Sequence, residues 1–259
     1  MPDMKLVSFW ENPPNARTPW HIATCLAIMS AKLGDRFRLL TRDNAKHYIG
    51  GEYETKNWIF ESHRGDARAA EKYSVVAKSD FIRLKYIYEH GGFWLDADFL
   101  CLGDPASLLD FLSEANIVWE GEAIFGGKPR AACFGAACDT MLEREFQVWG
   151  DPGGIKSYIE ALSEGEALIL PPYINWPKGA YNYWWDSTDI LLRKDIEVSE
   201  FLSEGQVVMH LFNTASEPML AGLRNDGATL FQKLLHHSMR CMPEPTFSHH
   251  VYRIRSLLE

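Results

Sequence analysis

Strands that alternate with helices along the chain predict an α/β fold: a mixed or mainly parallel central sheet flanked by helices, with a helical C-terminal part. Three observations carry this. Short apolar runs bounded by Pro, Gly and Asn recur at strand length, from Lys5 to His210. Between them lie segments whose apolar residues repeat at helical spacing. The bulk composition is that of a globular chain, with 259 residues, 46% hydrophobic and 24% charged. A chain of this length buries a core without help from disulfides or a structural metal.

Lys5 to Trp10 reads as a buried first strand, stopped by Asn12, Pro13 and Pro14. Trp20 to Leu33 reads as a helix, with Ile22, Leu26, Met29 and Leu33 on one face and Gly34 beyond its end. Phe37 to Leu40 is a second strand, and Asn44 to Ile49 a short helix before Gly50 and Gly51. After the polar stretch Glu52 to Arg64 comes a helix that ends near His90, then a brief strand, Phe93 to Leu95. Phe99 to Leu102 resumes the apolar run, and Ile117 to Trp119 and Ala132 to Phe134 are further strand candidates. Helices are expected at Thr140 to Trp149, Ile155 to Leu162 and Asn225 to Met242, with a late strand at Gln206 to His210. Pro171 to Asp186 is aromatic and irregular. No repeat, low-complexity tract or composition break appears, so one domain over 1–259 is expected, with its core over about 1–140 and a further part over about 141–259.

The formal net charge of -9 repels nucleic acid and anionic lipid, and no basic patch offsets it: Arg36, Arg38 and Arg42 are flanked by Asp35 and Asp43. Nucleic acid is therefore not an expected partner. Five cysteines with no C-x-x-C pair suit a reducing compartment better than a disulfide framework or a zinc site. No apolar run approaches a signal peptide or the ~20 residues of a membrane span. The expected location is the cytoplasm, with room for peripheral contact at the inner face of the membrane.

The chemistry concentrates in Lys78 to Leu102, KSDFIRLKYIYEHGGFWLDADFLCL. On a helical wheel Ala77, Phe81, Leu84 and Tyr88 form the core stripe, and Lys78, Lys85 and Glu89 lie opposite. Asp80 and Arg83, at i and i+3, border the stripe, either aimed into a cleft or paired at the surface. Gly91-Gly92 ends the helix through a left-handed turn. Phe93-Trp94-Leu95 then delivers Asp96 and Asp98, which a period-two strand would point to one side. Two converging hard oxygens suit Mn²⁺ or Mg²⁺, which can bridge to a diphosphate. A bare D-x-D is also compatible with two solvated loop aspartates.

Asp80, Arg83, Gly-Gly, an aromatic strand and D-x-D together resemble the glycosyltransferases with a DXD sugar-binding region. These include the capsular-polysaccharide and mannosyltransferase-like enzymes of family 32, whose core motif the clostridial glucosylating toxins share. The resemblance is strong over Val75 to Leu102 and fainter over Lys5 to Tyr48. It implies a GT-A-type fold and a role in polysaccharide biosynthesis. The expected reaction is metal-dependent, retaining transfer of a hexose from a UDP- or GDP-sugar to a glycan or glycolipid hydroxyl.

By the same resemblance, Asp80 and Arg83 hold donor-sugar hydroxyls, Asp96 contacts the ribose or sugar, and Asp98 ligates Mn²⁺ or Mg²⁺. Trp10 stacks on the nucleotide base or else packs in the core. His210 or Asn213 completes the metal site, unless His210 is structural. The residues departing from the family pattern are Leu6 to Trp10, Ala132 to Ala136 without a preceding asparagine, and Thr214 to Gly222 without a tryptophan. The aromatic stretch holding Trp176, Tyr181, Trp184 and Trp185 offers flat faces for an acceptor sugar, or forms a satellite packing cluster. Two other readings compete: an inactive nucleotide-sugar-binding or scaffold protein of the same fold, and a haloacid-dehalogenase-type phosphatase. The second wants Gly-Thr after the second aspartate, where Phe99-Leu100 stands.

Overall fold

The computed structural model describes residues 4–13, 16–144, 146–147, 155–162, 165–223, 228–240, 242 and 244–258. In chain order the elements begin with β1 (Leu6–Trp10), α1 (Trp20–Leu33), β2 (Phe37–Thr41), α2 (Ala45–Ile49), β3 (Ile59–Phe60), α3 (Ala67–His90), β4 (Gly92–Leu95) and β5 (Phe99–Cys101). They continue with α4 (Phe111–Glu114), β6 (Ile117–Gly121), β7 (Ile124–Gly127), α5 (Ala132–Arg144), β8 (Phe146–Gln147), α6 (Ile155–Glu160) and β9 (Ala167–Ile169). The last are α7 (Val198–Phe201), β10 (Val208–His210), α8 (Asn213–Leu220), α9 (Leu230–Met239) and α10 (Glu244–Leu258). Among the described residues, no helix is long and apolar enough to cross a membrane.

The chain separates into two compact units, each drawn from three stretches: 1–14, 38–95 and 108–169 in the first, and 15–37, 96–107 and 170–259 in the second. The first unit is built on a sheet of order β2-β1-β4-β7-β6-β9. Its pairing is mixed, as expected: β1 with β4 and β6 with β9 are parallel, whereas β7 runs antiparallel to both β4 and β6.

Helix α3 packs against this sheet. Asp66 caps its start by accepting from the N–H groups of Arg68 and Ala69 at 3.1 and 3.0 Å. Ala77, Phe81 and Leu84 are buried as the wheel predicts, but so are Ile82, Tyr86 and Ile87, so the helix is enclosed on more than one side. Gly91 ends it with φ 68°, its N–H donating to the Ile87 carbonyl. Gly92 follows at φ 117°, and a β-carbon there would lie 2.4 Å from the Lys5 carbonyl oxygen. That oxygen accepts the Phe93 N–H at 2.9 Å. The glycine pair thus permits both the turn and the close seating of β4 beside β1.

Several elements differ from expectation. Ala132 to Phe134 opens α5 instead of forming a strand: Cys133, Phe134, Ala137, Cys138 and Met141 are buried at helical spacing, a period that a three-residue apolar run conceals. The helix expected from Thr140 to Trp149 is the end of α5, and residues 145, 148 and 149 lie outside the described residues. Strand β7 went unpredicted because it ends in Gly126-Gly127. β-Carbons there would stand 2.6 Å from the Phe93 ring and 2.4 Å from the Phe134 ring, so the glycines make room for aromatic packing. In the second unit, α8 and α10 were likewise unpredicted. The helix expected over Asn225 to Met242 is α9, with residues 224–227 and 241 outside the described residues.

Gly92→Ala is expected to destabilise the protein by at least about 2 kcal/mol, through both its φ and its contact with β1. Gly121→Ala, where an added β-carbon meets nothing within 4 Å, should stay within about 1 kcal/mol. Urea unfolding of the two variants checks this.

Candidate functional site

In the second unit β5 and β10 pair antiparallel, with Phe99 opposite His210, Leu100 opposite Met209 and Cys101 opposite Val208. This register sets the end of β10 beside the residue that enters β5, which is Asp98. Asp96 and Asp98 stand in a tight turn in which the Phe99 N–H donates to the Asp96 carbonyl at 3.2 Å. Their carboxylates therefore converge through a turn and not through the pleat of a strand. One donor atom each from Asp96, Asp98 and His210 lies within 4.8 Å of the others.

Two carboxylate oxygens and an imidazole nitrogen are a donor set suited to Mn²⁺, and the oxygens alone to Mg²⁺. Opposite donors of an octahedral ion with bonds of about 2.1 Å stand roughly 4 Å apart, so donors within 4.8 Å of one another need at most small side-chain rotations to close on it. The residues fit such a cation.

Asp98 is buried, and each of its oxygens has an assigned neighbour. Oδ1 is 3.3 Å from His210 Nε2, and Oδ2 accepts the backbone N–H of Asn213 at 2.7 Å. Its backbone carbonyl accepts the Leu211 N–H at 3.0 Å. Burial alone would push its pKa up. The His210 ring and the Asn213 N–H, the first donor of α8, outweigh burial and hold the carboxyl below its ordinary value. Asp98 is thus kept anionic, as a metal ligand must be.

His210 is positioned by rings. Phe99 stacks on it at 4.6 Å with planes 5° apart, and Phe212 lies 4.2 Å away on a tilt. Its N–H donates to Asn175 Oδ1 at 3.1 Å and its carbonyl accepts the Tyr183 hydroxyl at 2.9 Å. Burial, with the Asp98 charge adding, raises the Tyr183 phenol well above its usual range, so it remains a donor. Phe212 adopts a left-handed conformation, φ 53° and ψ 63°, which costs a non-glycine residue about 1 kcal/mol. That turn lets His210 and the Asn213 N–H address the same carboxylate.

Asn213, expected as a metal ligand, reaches Asp98 through its backbone. Its side-chain oxygen lies 2.7 Å from Nε2 of His21, a fully buried residue of α1. Burial lowers the pKa of His21, though the Asn213 contact raises it, so the ring is neutral near pH 7. His21 was not foreseen: no motif links it to a residue 192 positions away.

The aromatic segment expected to serve an acceptor lies in the same unit. Trp176 and Trp184 are 5.1 Å apart, and Phe212 is 5.4 Å from Trp184 and 6.1 Å from Trp176. Rings therefore run continuously from His210 to Trp184, which is 47% exposed, and the neighbouring Trp185 is 58% exposed. Tyr181 instead packs on Phe201 at 5.2 Å. The Trp184 turn is held by Ser187 Oγ, which accepts the Trp184 N–H at 2.8 Å and donates toward the Asn182 carbonyl at 3.0 Å.

Asp80, Arg83 and Trp10 belong to the first unit. Arg83 binds Asp80 at 2.7 Å, with side chains only 5% and 3% exposed, so the pair is a buried one and not a surface one. Glu122, which the sequence did not single out, approaches Arg83 at 3.8 Å. Trp10 is half-buried at the end of β1, its indole N–H donating to Asn12 Oδ1 at 2.7 Å.

Residues 21–114 match the family model described as the glycosyltransferase sugar-binding region containing the DXD motif. The chain thus carries a region of that type around Asp96 and Asp98. Among solved structures it is similar to the glycosyltransferase GlyE of Streptococcus pneumoniae TIGR4, at 13% identity and a TM-score of 0.46. That alignment covers 96% of this chain and 63% of GlyE. The apo form of GlyE gives 14% identity, a TM-score of 0.46, and coverage of 98% and 64%. No curated protein sequence matches the chain.

Arg83→Met is expected to cost about 3 kcal/mol in urea unfolding, because it removes the cation bound to the buried Asp80 carboxylate. The double variant Asp80→Asn/Arg83→Met should recover part of that loss, since it also removes the buried charge that Arg83 balances.

Proposed function

We propose that the chain is a metal-dependent GT-A-type glycosyltransferase, a single domain over 1–259. It would move a hexose from a UDP- or GDP-sugar to a hydroxyl of a glycan or glycolipid, with retention, in polysaccharide biosynthesis. The observation that carries the proposal is the convergence of Asp96, Asp98 and His210, with both aspartates inside the matched sugar-binding region.

Asp98 and His210 would hold Mn²⁺ or Mg²⁺, with Asp96 reaching the ion and the ribose or sugar of the donor. When bound, the ion would supply charge neutralisation for the diphosphate that departs. The remaining work falls to the chain. Asp98, with Oδ2 held by the Asn213 N–H, offers Oδ1 in one orientation, so its geometry is set before substrate arrives. Asp80 and Arg83 are assigned to donor-sugar hydroxyls and Trp10 to the base. The phosphate oxygen released from the sugar would take the proton of the attacking hydroxyl, so no separate general base is required. Positioning and electrostatics then supply most of the acceleration.

Trp176, Trp184 and Trp185 are assigned to the acceptor. Indole faces suit the C–H patches of sugar rings, and the ring path to His210 would place the hydroxyl of a bound glycan near the metal centre. The cytoplasm remains the proposed location, with peripheral membrane contact for a lipid-linked acceptor.

Slow hydrolysis of one nucleotide sugar in the presence of Mn²⁺ is expected from a panel of UDP- and GDP-sugars. Chelation should abolish it, and Asp98→Ala should lower it by at least about 100-fold. Metal-dependent donor binding without turnover, even with glycan acceptors present, would favour a binding module instead. With an acceptor in hand, Trp184→Ala should shift the outcome from transfer toward hydrolysis, read as the ratio of the two products.

A further inference from the structure

The α1 helix reaches the candidate metal centre through one side chain. His21 is fully buried, and its Nε2 lies 2.7 Å from the Asn213 side-chain oxygen. An amide oxygen only accepts, so Nε2 carries the ring proton and donates it to Asn213. The other ring nitrogen is buried with no hydrogen-bond partner among the described residues. The ring is therefore held by one polar contact, with Trp20 against it edge-on at 6.0 Å.

Asn213 is the first residue of α8, and its backbone N–H is the one that grips Asp98 Oδ2 at 2.7 Å. The residue before it, Phe212, is in the left-handed conformation, and its carbonyl accepts the N–H groups of Ala215 and Ser216 at 2.9 and 3.0 Å. Asn213 caps nothing with its own side chain, because that side chain is turned to His21. A carboxylate whose second oxygen is fixed presents its first oxygen in a single direction, here toward His210.

We propose that His21 is a positioning residue of the candidate metal centre: through the Asn213 amide it fixes the first turn of α8, and so the orientation in which Asp98 meets a cation. This rests on the reading of Asp96, Asp98 and His210 as metal ligands. It also gives Asn213 a structural part, in place of direct ligation by its side chain. A ring N–H is suited to the task, because it satisfies a buried amide oxygen and holds it in one direction.

Mn²⁺ binding to the protein alone, followed by the electron paramagnetic resonance of the free ion, tests this without donor or turnover. His21→Leu is expected to weaken Mn²⁺ binding by about tenfold or more. His21→Gln, which keeps an N–H donor, should restore it to within about threefold. Ser30→Ala removes another hydrogen bond of α1, to His250 at 2.9 Å, and should leave Mn²⁺ affinity unchanged while lowering thermal stability. Asn213→Ala should weaken binding as His21→Leu does, and the double variant should lose no more than either alone, since both break one connection.

Wild-type affinity in folded His21→Leu overturns the proposal, as does an equal loss in Ser30→Ala. Additive losses in the double variant overturn it too, and would point to Asn213 as an independent ligand. If His21→Leu does not fold, His21→Gln and Asn213→Ala decide: weak binding in the first with normal binding in the second overturns the proposal. Absence of Mn²⁺ uptake by the wild type, or uptake unaffected by Asp98→Ala, would sink the metal reading itself, and this inference with it.

Discussion

A buried carboxylate must be paired or protonated, and Asp98 is where that constraint bears on the second unit. Moving a lone carboxylate out of water costs several kcal/mol even after relaxation. Here the cost is offset from one short stretch: His210 faces Oδ1, the Asn213 N–H holds Oδ2, and the Leu211 N–H holds the backbone carbonyl. The D-x-D turn and residues 210–213 are thus joined at three points. The β5–β10 register, the left-handed Phe212 and the rings around His210 follow from the need to bring that stretch to Asp98. A site held in this way is preorganised, since the Asp98 carboxylate is already ionised and already aimed.

The first unit meets a similar demand differently. Helix α3 is buried through its second half, from Ala77 to Ile87, and there Asp80 and Arg83 lie almost wholly out of solvent and bind each other at 2.7 Å. A buried pair of this kind contributes little net stability over an apolar pair of the same shape. Its presence on an enclosed helix instead fits a polar function, the one proposed for it here. The same helix depends on Gly91 and Gly92, because only residues without a β-carbon allow both its left-handed ending and the seating of β4 against the Lys5 backbone.

Much of this was legible in the sequence, and the reasons are local. The helix that carries Asp80 and Arg83, the glycine turn and the D-x-D run within one contiguous segment, so spacing alone orders them. The mixed sheet was readable from alternating apolar runs, whereas His210 was singled out through the family resemblance. What escaped notice depends on partners far away in the chain. Strand β7 looks like a glycine-rich loop until Phe93 and Phe134 are seen to occupy the space of its missing β-carbons. Helix α5 hid behind three apolar residues that fit either period. His21 stands at the start of a helix buried on nearly every side, and nothing near it in the chain announces Asn213. The convergence of Asp96 and Asp98 was expected from strand pleating, but it arises from a turn, which the same residues permit equally well.

Departures from local preference collect around one place in the second unit. Phe212 takes a conformation disfavoured for its type, His210 lies between two phenylalanine rings, His21 spends a buried imidazole on a single amide, and Trp184 and Trp185 remain exposed. Each has a cost in isolation, and a sequence selected for stability alone would have little reason to keep them together. Their proximity has a simpler account if they serve one task. Strain at Phe212 brings an imidazole and a backbone donor to the same carboxylate, and its ring then continues the aromatic path outward to the exposed indoles. The path joins a hard, charged centre to a flat, apolar face within a few ring widths. That pairing of surfaces matches the two halves of a sugar-transfer reaction, a diphosphate at one end and a sugar ring at the other.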